Sequence, residues 1–412
     1  MLPWGSRRGR TRRAMMVVRD GALDPLGATP DQAMTGLAFT LEEHHARLGK
    51  VVAEMSAAGL DALVLAAPED LLYLTGFRSM DIFRLQALVI TPGQEPLMVV
   101  RKVARSSFER TAWTRRVMTY ADHEDPGAVL AAALAELSAT VRRIGVPKRS
   151  PYFTPYVLEQ AQAALAAEWV DATTVVSRHR WIKSPAELAY VRQACRYAEV
   201  ALWAGVSACR PGRTENHVAA AMLAAMVEAG SETPAKNPLL GAGPRSALGH
   251  VSWEGRPIAA GDVVFLEPGA CVRRYHAAVM RCAIVGPPPA EQERWARACR
   301  HAVNAAIAAM RPGVTAASVD RACREAILAS GLGGLFHHRT GYSIGLGFSN
   351  WIEDLSLREG EDTPLEAGMV FHVVPFLSDG QQGVAVSEMA LVTEDGAERL
   401  TTLPQELLAA PG

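Results

Sequence analysis

The amino-terminal part of the chain alternates between amphipathic and fully apolar segments. Residues 38–58 carry apolar positions at helical spacing, which predicts an amphipathic helix, and a second helix is predicted near 127–141. Short apolar runs bounded by turn residues are typical of strands. They occur at 60–65, 70–77, 87–90, 97–100 and 144–146. This alternation predicts an α/β domain over residues 36–172.

A second domain is predicted over residues 173–405, and its first helix has a clear start signal. Ser184 is a good N-cap, Pro185 occupies the first helical position, and Glu187 stands where a capping box needs a glutamate. The helix that begins there is expected to run to about Ala208.

This second domain contains an internal repeat. Each copy has Ala-Cys-Arg within a helix, then an Arg-Pro-Gly turn, then a helix that begins near a threonine and ends at a glycine. The copies start at Ala194 and Ala298. Matching turn residues are harder to reproduce by chance than alanine-rich helices, so they favour a duplication. A duplicated unit predicts a site at the seam between its halves.

Two residues of the first half are candidates for catalysis. Glu267 ends the apolar strand 263–267, and a buried carboxylate must be paired or functional because an unpaired buried charge is costly. The alternative is a glutamate that reaches solvent at the strand end. His250 follows the glycine-rich segment 241–249, predicted to be a loop. A histidine can transfer protons near neutral pH, although a structural role is also possible.

Further polar side chains stand near strand ends in both halves. The candidates for contact with substrate are Tyr275, His276, Arg281, Arg339, Tyr342, Trp351 and His372, together with Glu388 as a possible partner of His250. Either Arg281 or Arg339 could hold a substrate carboxylate through two parallel hydrogen bonds. A structural role remains an alternative for every one of them.

Composition excludes several other classes of function. The chain has 42 lysines and arginines against 43 aspartates and glutamates, which gives no electrostatic reason to expect nucleic acid as a partner. No apolar run approaches the roughly 20 residues of a membrane helix. The six cysteines form no Cys-x-x-Cys pair, which indicates free thiols in a reducing cytoplasm. Residues 1–35 are arginine-rich without a secretory apolar region and are predicted to be a disordered leader.

Taken together, several motifs resemble the superfamily of methionine aminopeptidases, prolidases and creatinases over about residues 38–400. They are Tyr73–Gly76, Trp181–Glu187, Gly261–Val264, Arg281 and Gly368–Phe371. The resemblance implies a small creatinase-type α/β domain followed by a pita-bread catalytic domain with pseudo-twofold halves. It also implies a homodimer in which residues near 78–86 approach the catalytic pocket of the other subunit.

The metallopeptidases of that superfamily bind two metal ions through two aspartates, one histidine and two glutamates. The corresponding positions here hold Glu267, Ala278, Tyr342, Val374 and Ser387. Alanine and valine supply no donor atom, and tyrosine and serine are poor ligands beside a single carboxylate. We therefore expect neither a metal nor another cofactor.

A closer resemblance is to bacterial ectoine hydrolases. It is carried by Leu266–Glu267, Arg274–His276, Arg281, Gly341–Leu346, Phe371–His372 and Ser387–Glu388. The resemblance implies that Glu267 attacks an amidine carbon and that His250 acts with it. The expected activity is metal-independent hydrolysis of a C–N bond in a small cyclic amidine or a related amino-acid derivative. A creatinase-type hydrolase of guanidino compounds and a non-catalytic binding module are the alternatives.

Overall fold

A computed structural model of the protein describes residues 37–137 and 141–411, so the predicted leader at 1–35 lies outside the described residues. The amino-terminal helices are α1 (Leu41–Ala57), α2 (Pro68–Thr75), α3 (Arg105–Thr111), α4 (Pro126–Leu137) and α5 (Pro155–Ala164). The strands are β1 (Ala62–Leu65), β2 (Ala87–Ile90), β3 (Leu97–Arg101), β4 (Val117–Tyr120), β5 (Arg143–Val146) and β6 (Glu168–Asp171).

These six strands form one sheet in the order β4-β3-β2-β1-β5-β6. The central strand β1 pairs antiparallel with β2 and parallel with β5. Helix α1 begins three residues after the predicted start at 38, because the Thr40 hydroxyl caps it by accepting a hydrogen bond from the backbone N–H of Glu43. The described part of α4 ends at Leu137. The sheet and its helices confirm the predicted α/β amino-terminal domain.

The prediction of a strand at 70–77 is wrong, because these residues belong to helix α2 and the turn after it. Pro68 occupies the first turn with Glu69 and Asp70, and Gly76 ends the helix in a left-handed conformation with φ of 79°. Every residue of α2 is buried. A helix buried on all sides shows no polar face, so its pattern cannot be distinguished from that of a buried strand.

Helix α6 (Thr174–Trp181) leads to two helix pairs, which confirm the predicted duplication. The first pair is α7 (Pro185–Ala208) and α8 (Glu215–Glu228), and the second is α9 (Ala290–Ala309) and α10 (Ala316–Ala329). Helix α7 begins with the predicted capping box between Ser184 and Glu187. No helix within the described ranges is long and apolar enough to cross a membrane.

Strands follow each helix pair. The first half contributes β7 (Leu239–Ala242), β8 (Val263–Glu267), β9 (Gly269–Val272), β10 (Tyr275–Ala278) and β11 (Arg281–Ile284). The second half contributes β12 (Gly341–Ile344), β13 (Ile352–Leu357), β14 (Val370–Val373), β15 (Phe376–Ser378), β16 (Gly383–Ala385), β17 (Glu388–Val392), β18 (Ala397–Arg399) and β19 (Leu408–Ala409). Segment 241–249 was predicted to be a loop, but it starts inside β7 and continues as a 3₁₀ turn over Gly243–Ala247.

The two main sheets of the second domain divide the catalytic candidates between them. One sheet has the order β19-β11-β8-β7 and the other has the order β13-β12-β14-β17-β18. Glu267 lies at the end of β8, and Tyr342 lies in β12. The fold therefore brings one strand end from each half of the duplication to a common seam.

Candidate active site

A cavity lies at this seam, where the two halves of the second domain meet, and such interfaces are common places for ligand sites. It is lined by Lys236, Leu239, Leu248, Gly249, His250, Phe265, Glu267, Met280, His338, Arg339, Tyr342, Trp351, Ile352, Val374 and Phe376. Most of these side chains are apolar, and the polar ones converge from both halves. The lining is chemically suited to a small molecule with a few charged groups and an apolar body.

Glu267 is the one carboxylate among the lining residues. Strand β8 is buried along its length, and only 6% of Glu267 is exposed. No described residue donates a hydrogen bond to its side chain. Burial raises the pKa of Glu267 to about 8, while the positive charge of Lys236 acts in the opposite direction. The carboxylate is thus held at the cavity without the partners that normally compensate a buried charge.

His250 stands at the mouth of the cavity in a strained backbone conformation, with φ of 59°. Its segment is fixed at both ends by the buried carboxylate of Glu215, which accepts hydrogen bonds from the backbone N–H of Ala242 and of Glu254, each at 2.9 Å. Arg245 Nε adds a third bond to Glu215 at 3.0 Å. Burial and the charges of nearby cations lower the pKa of His250, so the neutral imidazole predominates at neutral pH.

Two cations, Lys236 and Arg339, lie on the cavity wall without an ionic partner. Among the described residues, no carboxylate oxygen approaches either side chain within the 4.0 Å of a salt bridge. The Lys236 ammonium lies 5.2 Å from the ring centre of Trp351, and Arg339 stacks 4.7 Å from the ring centre of Tyr342. Arg339 Nη1 donates to Ser356, but its buried Nε has no partner. Both cations are available to an anionic group of a ligand.

Tyr342 forms the rear wall with Trp351. The Trp351 indole N–H donates to the Tyr342 hydroxyl at 3.2 Å, and His372 Nδ1 lies 2.9 Å from the same oxygen. A Cβ at Gly269 would overlap the Trp351 ring, so glycine is needed there for the ring to pack against β9. Trp351 also belongs to a loop that contacts the amino-terminal domain, because Glu69 accepts the backbone N–H of Phe348 at 2.9 Å.

Comparison with known proteins agrees with this architecture. Residues 189–394 match metallopeptidase family M24, and residues 47–182 match the creatinase/prolidase N-terminal domain. The chain belongs to metallopeptidase family M24. Its fold is therefore the pita-bread fold preceded by a creatinase-type domain, as the sequence motifs imply.

Among M24 relatives, an ectoine hydrolase from Halomonas elongata is 29% identical over 394 residues, covering 90% of this chain and 98% of the relative. A probable dipeptidase PepE from Mycobacterium tuberculosis is 31% identical over 378 residues, with the same coverage. The crystal structure of dipeptidase PepE from Mycobacterium ulcerans matches with a TM-score of 0.80 at 30% identity, covering 91% of this chain and 100% of that one. These relatives support a hydrolase.

The side chains do not fit the metal centre that the name of family M24 implies. In the described part of the chain, no group of three or more histidine, cysteine, aspartate or glutamate residues is arranged to hold a metal ion. At the cavity Glu267 is accompanied by Tyr342 and by the apolar Val374. Ser387 is hydrogen-bonded to His372 and to a backbone N–H instead of facing Glu267.

The structure brings five of the ten predicted site residues to the cavity. They are Glu267, His250, Arg339, Tyr342 and Trp351. Their chemical roles stay predictions. His372 lies directly behind this group, in contact with Tyr342 and outside the cavity.

Glu388 and Arg281 do not lie where the sequence analysis expected them. Both side chains are fully buried and form an ion pair at 2.7 Å, outside the cavity. Glu388 is also bonded to Thr401 and Gln405, and Arg281 donates to several backbone carbonyls, among them that of Pro404. With its acceptors and donors occupied in this way, the pair cannot contact substrate or orient His250.

Tyr275 and His276 are also outside the cavity. The Tyr275 hydroxyl donates to Glu187 at 2.6 Å. His276 Nε2 accepts the backbone N–H of Ala235 at 2.9 Å, and its Nδ1 lies 3.2 Å from the Gly345 carbonyl oxygen. His276 therefore holds the backbone next to Lys236 rather than the substrate.

Sequence reasoning missed Lys236 and His338 as lining residues. His338 adjoins Arg339, and its ring centre lies 6.2 Å from that of His250. Its place one residue before a predicted candidate could have drawn attention to it. Lys236 lies in the irregular segment 234–238, between two prolines, where neither helical nor strand periodicity indicates a direction.

Proposed function

We propose that the protein is a metal-independent hydrolase of a C–N bond in a small cyclic amidine or a related amino-acid derivative, of which ectoine is the model substrate. The observation that carries this proposal is the single buried carboxylate Glu267 facing a cavity that also holds His250 and two unpaired cations. A molecule with an amidinium group and a carboxylate complements this arrangement, because Glu267 can meet the former and Lys236 with Arg339 the latter.

In the proposed reaction, Glu267 forms a C–O bond to the amidinium carbon, and the carbon–nitrogen π pair moves onto nitrogen. Neutral His250 carries a proton from the retained nitrogen to the departing one, so that C–N bond breaks and an imidate ester remains on Glu267. Water then attacks the imidate carbon, and His250 takes one of its protons and passes it to the released amine. The carboxylate of Glu267 leaves, the second water proton moves to the imidate nitrogen, and the product carries an amide and an ammonium group.

The charge of Lys236 supports this role for Glu267. Burial alone would keep the carboxyl protonated, and a protonated carboxyl is a poor nucleophile. A cation at the same cavity favours the ionised form. The lowered pKa of His250 supports its part, because a neutral imidazole can accept the proton of water.

A dipeptidase is the second candidate, since a probable dipeptidase PepE is 31% identical to this chain. The side chains around Glu267 do not fit a pair of metal ions, which favours the metal-independent hydrolase. Incubation of the purified protein with ectoine, hydroxyectoine, creatine and an Xaa-Pro dipeptide, followed by mass analysis, separates the two. We expect addition of one water to ectoine or hydroxyectoine. Hydrolysis of the dipeptide alone would overturn the proposal.

We further propose that the protein works in the cytoplasm as a homodimer in which segment 78–86 covers the cavity of the partner subunit. Phe83 is 91% exposed and Met80 is 55% exposed, and two large apolar side chains on one segment favour burial by another chain. All six cysteines are buried and unpaired, as expected in a reducing compartment. Light scattering at micromolar concentration tests the dimer, and a fully active monomer would contradict it.

A further inference from the structure

Behind the cavity, three side chains form a continuous hydrogen-bonded row. Ser387 Oγ accepts the backbone N–H of Met280 at 2.6 Å and lies 2.7 Å from His372 Nε2. His372 Nδ1 lies 2.9 Å from the Tyr342 hydroxyl. Ser387 and His372 are completely buried, and the row reaches the cavity only at Tyr342.

The direction of the hydrogen bonds in this row follows from which hydroxyl hydrogen each tautomer of His372 leaves without an acceptor. Burial lowers the pKa of His372 to about 3, so the imidazole is neutral and carries one N–H. If Nε2 carried it, the hydroxyl hydrogen of Ser387 would have no acceptor among the described residues. If Nδ1 carries it, Ser387 donates to Nε2 and His372 donates to Tyr342, so the hydroxyl hydrogen left over is that of Tyr342. The second arrangement is favoured because Tyr342 lines the cavity, where a ligand can accept its hydrogen, whereas Ser387 is completely buried and an unsatisfied buried donor is costly.

This arrangement determines what the Tyr342 hydroxyl can do. Its oxygen accepts one hydrogen bond from His372 Nδ1 and another from the Trp351 indole N–H at 3.2 Å. Both lone pairs are then used, and the hydroxyl hydrogen has no acceptor in the described residues. Because Tyr342 lines the cavity with Glu267, the free hydrogen is directed towards a ligand.

We propose that Tyr342 is a catalytic hydrogen-bond donor, held in direction by the positioning residues His372 and Ser387, for the substrate nitrogen that gains the electron pair when Glu267 attacks. This inference rests on the proposed function and names a further residue of the same site. Before attack, each amidinium nitrogen is a donor and offers no lone pair to a phenol. After attack it has a lone pair, so the hydrogen bond forms as the transition state is reached and lowers the barrier selectively.

The phenol donates a hydrogen bond without giving up its proton. Burial, together with the negative charge of Glu267, raises the pKa of Tyr342 above its usual value. The proton for the departing amine therefore still comes through His250. Tyr342 can assist any substrate in which attack on the reacting carbon gives a neighbouring atom a lone pair. That atom then accepts the hydrogen bond from the phenol.

The first test measures the tautomer of His372 and requires no substrate. The full-length protein labelled with ¹⁵N-histidine is examined by two-dimensional NMR, which distinguishes Nδ1–H from Nε2–H imidazoles. The signal absent from His372→Leu identifies this histidine among the 11 in the chain. We expect a neutral ring with Nδ1–H. A neutral ring with Nε2–H, or a charged ring, would overturn the assigned direction.

The second test is a double-mutant cycle on turnover of the amidine. Tyr342→Phe removes one oxygen and should lower kcat about 100-fold with little change in KM, as loss of one transition-state donor does. His372→Leu should also lower kcat, but it should have no further effect when added to Tyr342→Phe, because it acts only through the phenol. Tyr197→Phe, at a buried tyrosine that does not line the cavity, is the matched control and should keep wild-type kcat.

Outcomes of the cycle separate the inference from the function on which it rests. Additive losses for His372 and Tyr342 would overturn the positioning role of His372, and wild-type kcat in Tyr342→Phe would overturn the donor role of Tyr342; both outcomes would leave the hydrolase intact. Absence of turnover by wild type on every amidine would overturn the proposed function and the catalytic role of Tyr342 together. The NMR result would still decide the direction of the hydrogen bonds from Ser387 through His372 to Tyr342.

Discussion

Glu267 and Glu388 are two buried carboxylates of the catalytic domain, and their surroundings are opposite. Glu388 is fully enclosed and is paired with Arg281 at 2.7 Å, with further bonds to Thr401 and Gln405. Glu267 is 6% exposed and receives no hydrogen bond from the described residues. Its pKa is raised to about 8 by burial.

The difference shows what each carboxylate contributes to the protein. A buried ion pair with its hydrogen bonds satisfied holds the strands β11 and β17 to the carboxy-terminal segment. An uncompensated buried carboxylate destabilises the fold, and such groups concentrate where chemistry needs them. The contrast therefore assigns a structural role to Glu388 and supports a reactive role for Glu267.

The largest expected effect is on activity in Glu267→Gln. We expect kcat to fall at least 1,000-fold, about 4 kcal/mol in barrier, because the amide keeps the shape and removes the nucleophilic oxygen. Steady-state kinetics with ectoine measures the loss. Retention of more than about a tenth of the rate, a change below about 1.4 kcal/mol, would favour a water activated by His250.

The same variant should be more stable than wild type at alkaline pH. The folded pKa of Glu267 is raised from 4.5 to about 8, so the wild type loses stability as pH rises between these values. Glutamine cannot ionise and escapes this loss. Denaturant unfolding should give equal stabilities for the two proteins below pH 4.5 and a more stable variant above pH 8. If wild type and Glu267→Gln were equally stable at both pH values, Glu267 would not be the uncompensated buried carboxylate that distinguishes it from Glu388.

Glu388→Gln should affect stability more than catalysis. Removing one partner of a buried ion pair leaves Arg281 uncompensated and should cost about 3–5 kcal/mol in the free energy of unfolding. Glu398→Gln is the matched control, because Glu398 pairs with Arg192 at the surface and its loss should cost about 1 kcal/mol or less. Equal losses in the two variants would contradict the structural role of Glu388.

Lys236→Met should have a smaller effect, which is a shift in the pH dependence of kcat/KM. We expect kcat/KM to rise with pH as Glu267 ionises, with a midpoint near the pKa of about 8. Loss of the cation should move this midpoint upward by about one pH unit, since an opposite charge favours the ionised form. The exposed Lys50→Met is the control. An unchanged midpoint in Lys236→Met would show that this lysine does not tune Glu267.

Metal chelation should have no effect. The cavity offers one carboxylate where a pair of divalent ions would need several donors. Elemental analysis should find no stoichiometric transition metal, and kcat/KM should be unchanged after dialysis against a strong chelator. Loss of activity that returns with added metal would contradict the metal-independent proposal.

The sequence predicts those features that depend on local signals. Capping residues indicate where α7 and α10 begin, and the matching turns indicate the duplication that creates the seam. The apolar strand ending in Glu267 indicates a carboxylate at that seam. Ala278 stands at a position where the metallopeptidases of the family have a metal ligand, and alanine has no donor atom. Such residue types indicate from the sequence alone that a metal centre does not fit here.

The sequence does not predict features that depend on contacts between distant segments. Glu388 directly follows Ser387 in the chain, but only the pairing of β17 with its neighbours turns it towards Arg281. Lys236 reaches the cavity from an irregular segment that is held at Ala235 by His276, 41 residues after Ala235 in the chain. Such placements follow from tertiary packing and leave no periodic signal.

The role of Glu267 as nucleophile can be tested directly by trapping a covalent intermediate on its side chain. Wild-type protein is mixed with ectoine in a single turnover, quenched with acid, digested and examined by mass spectrometry. We expect an adduct on the peptide that contains Glu267, and no adduct in Glu267→Gln treated in the same way. An adduct on another residue, or none in wild type under conditions where product forms, would contradict the assignment of Glu267 as the nucleophile.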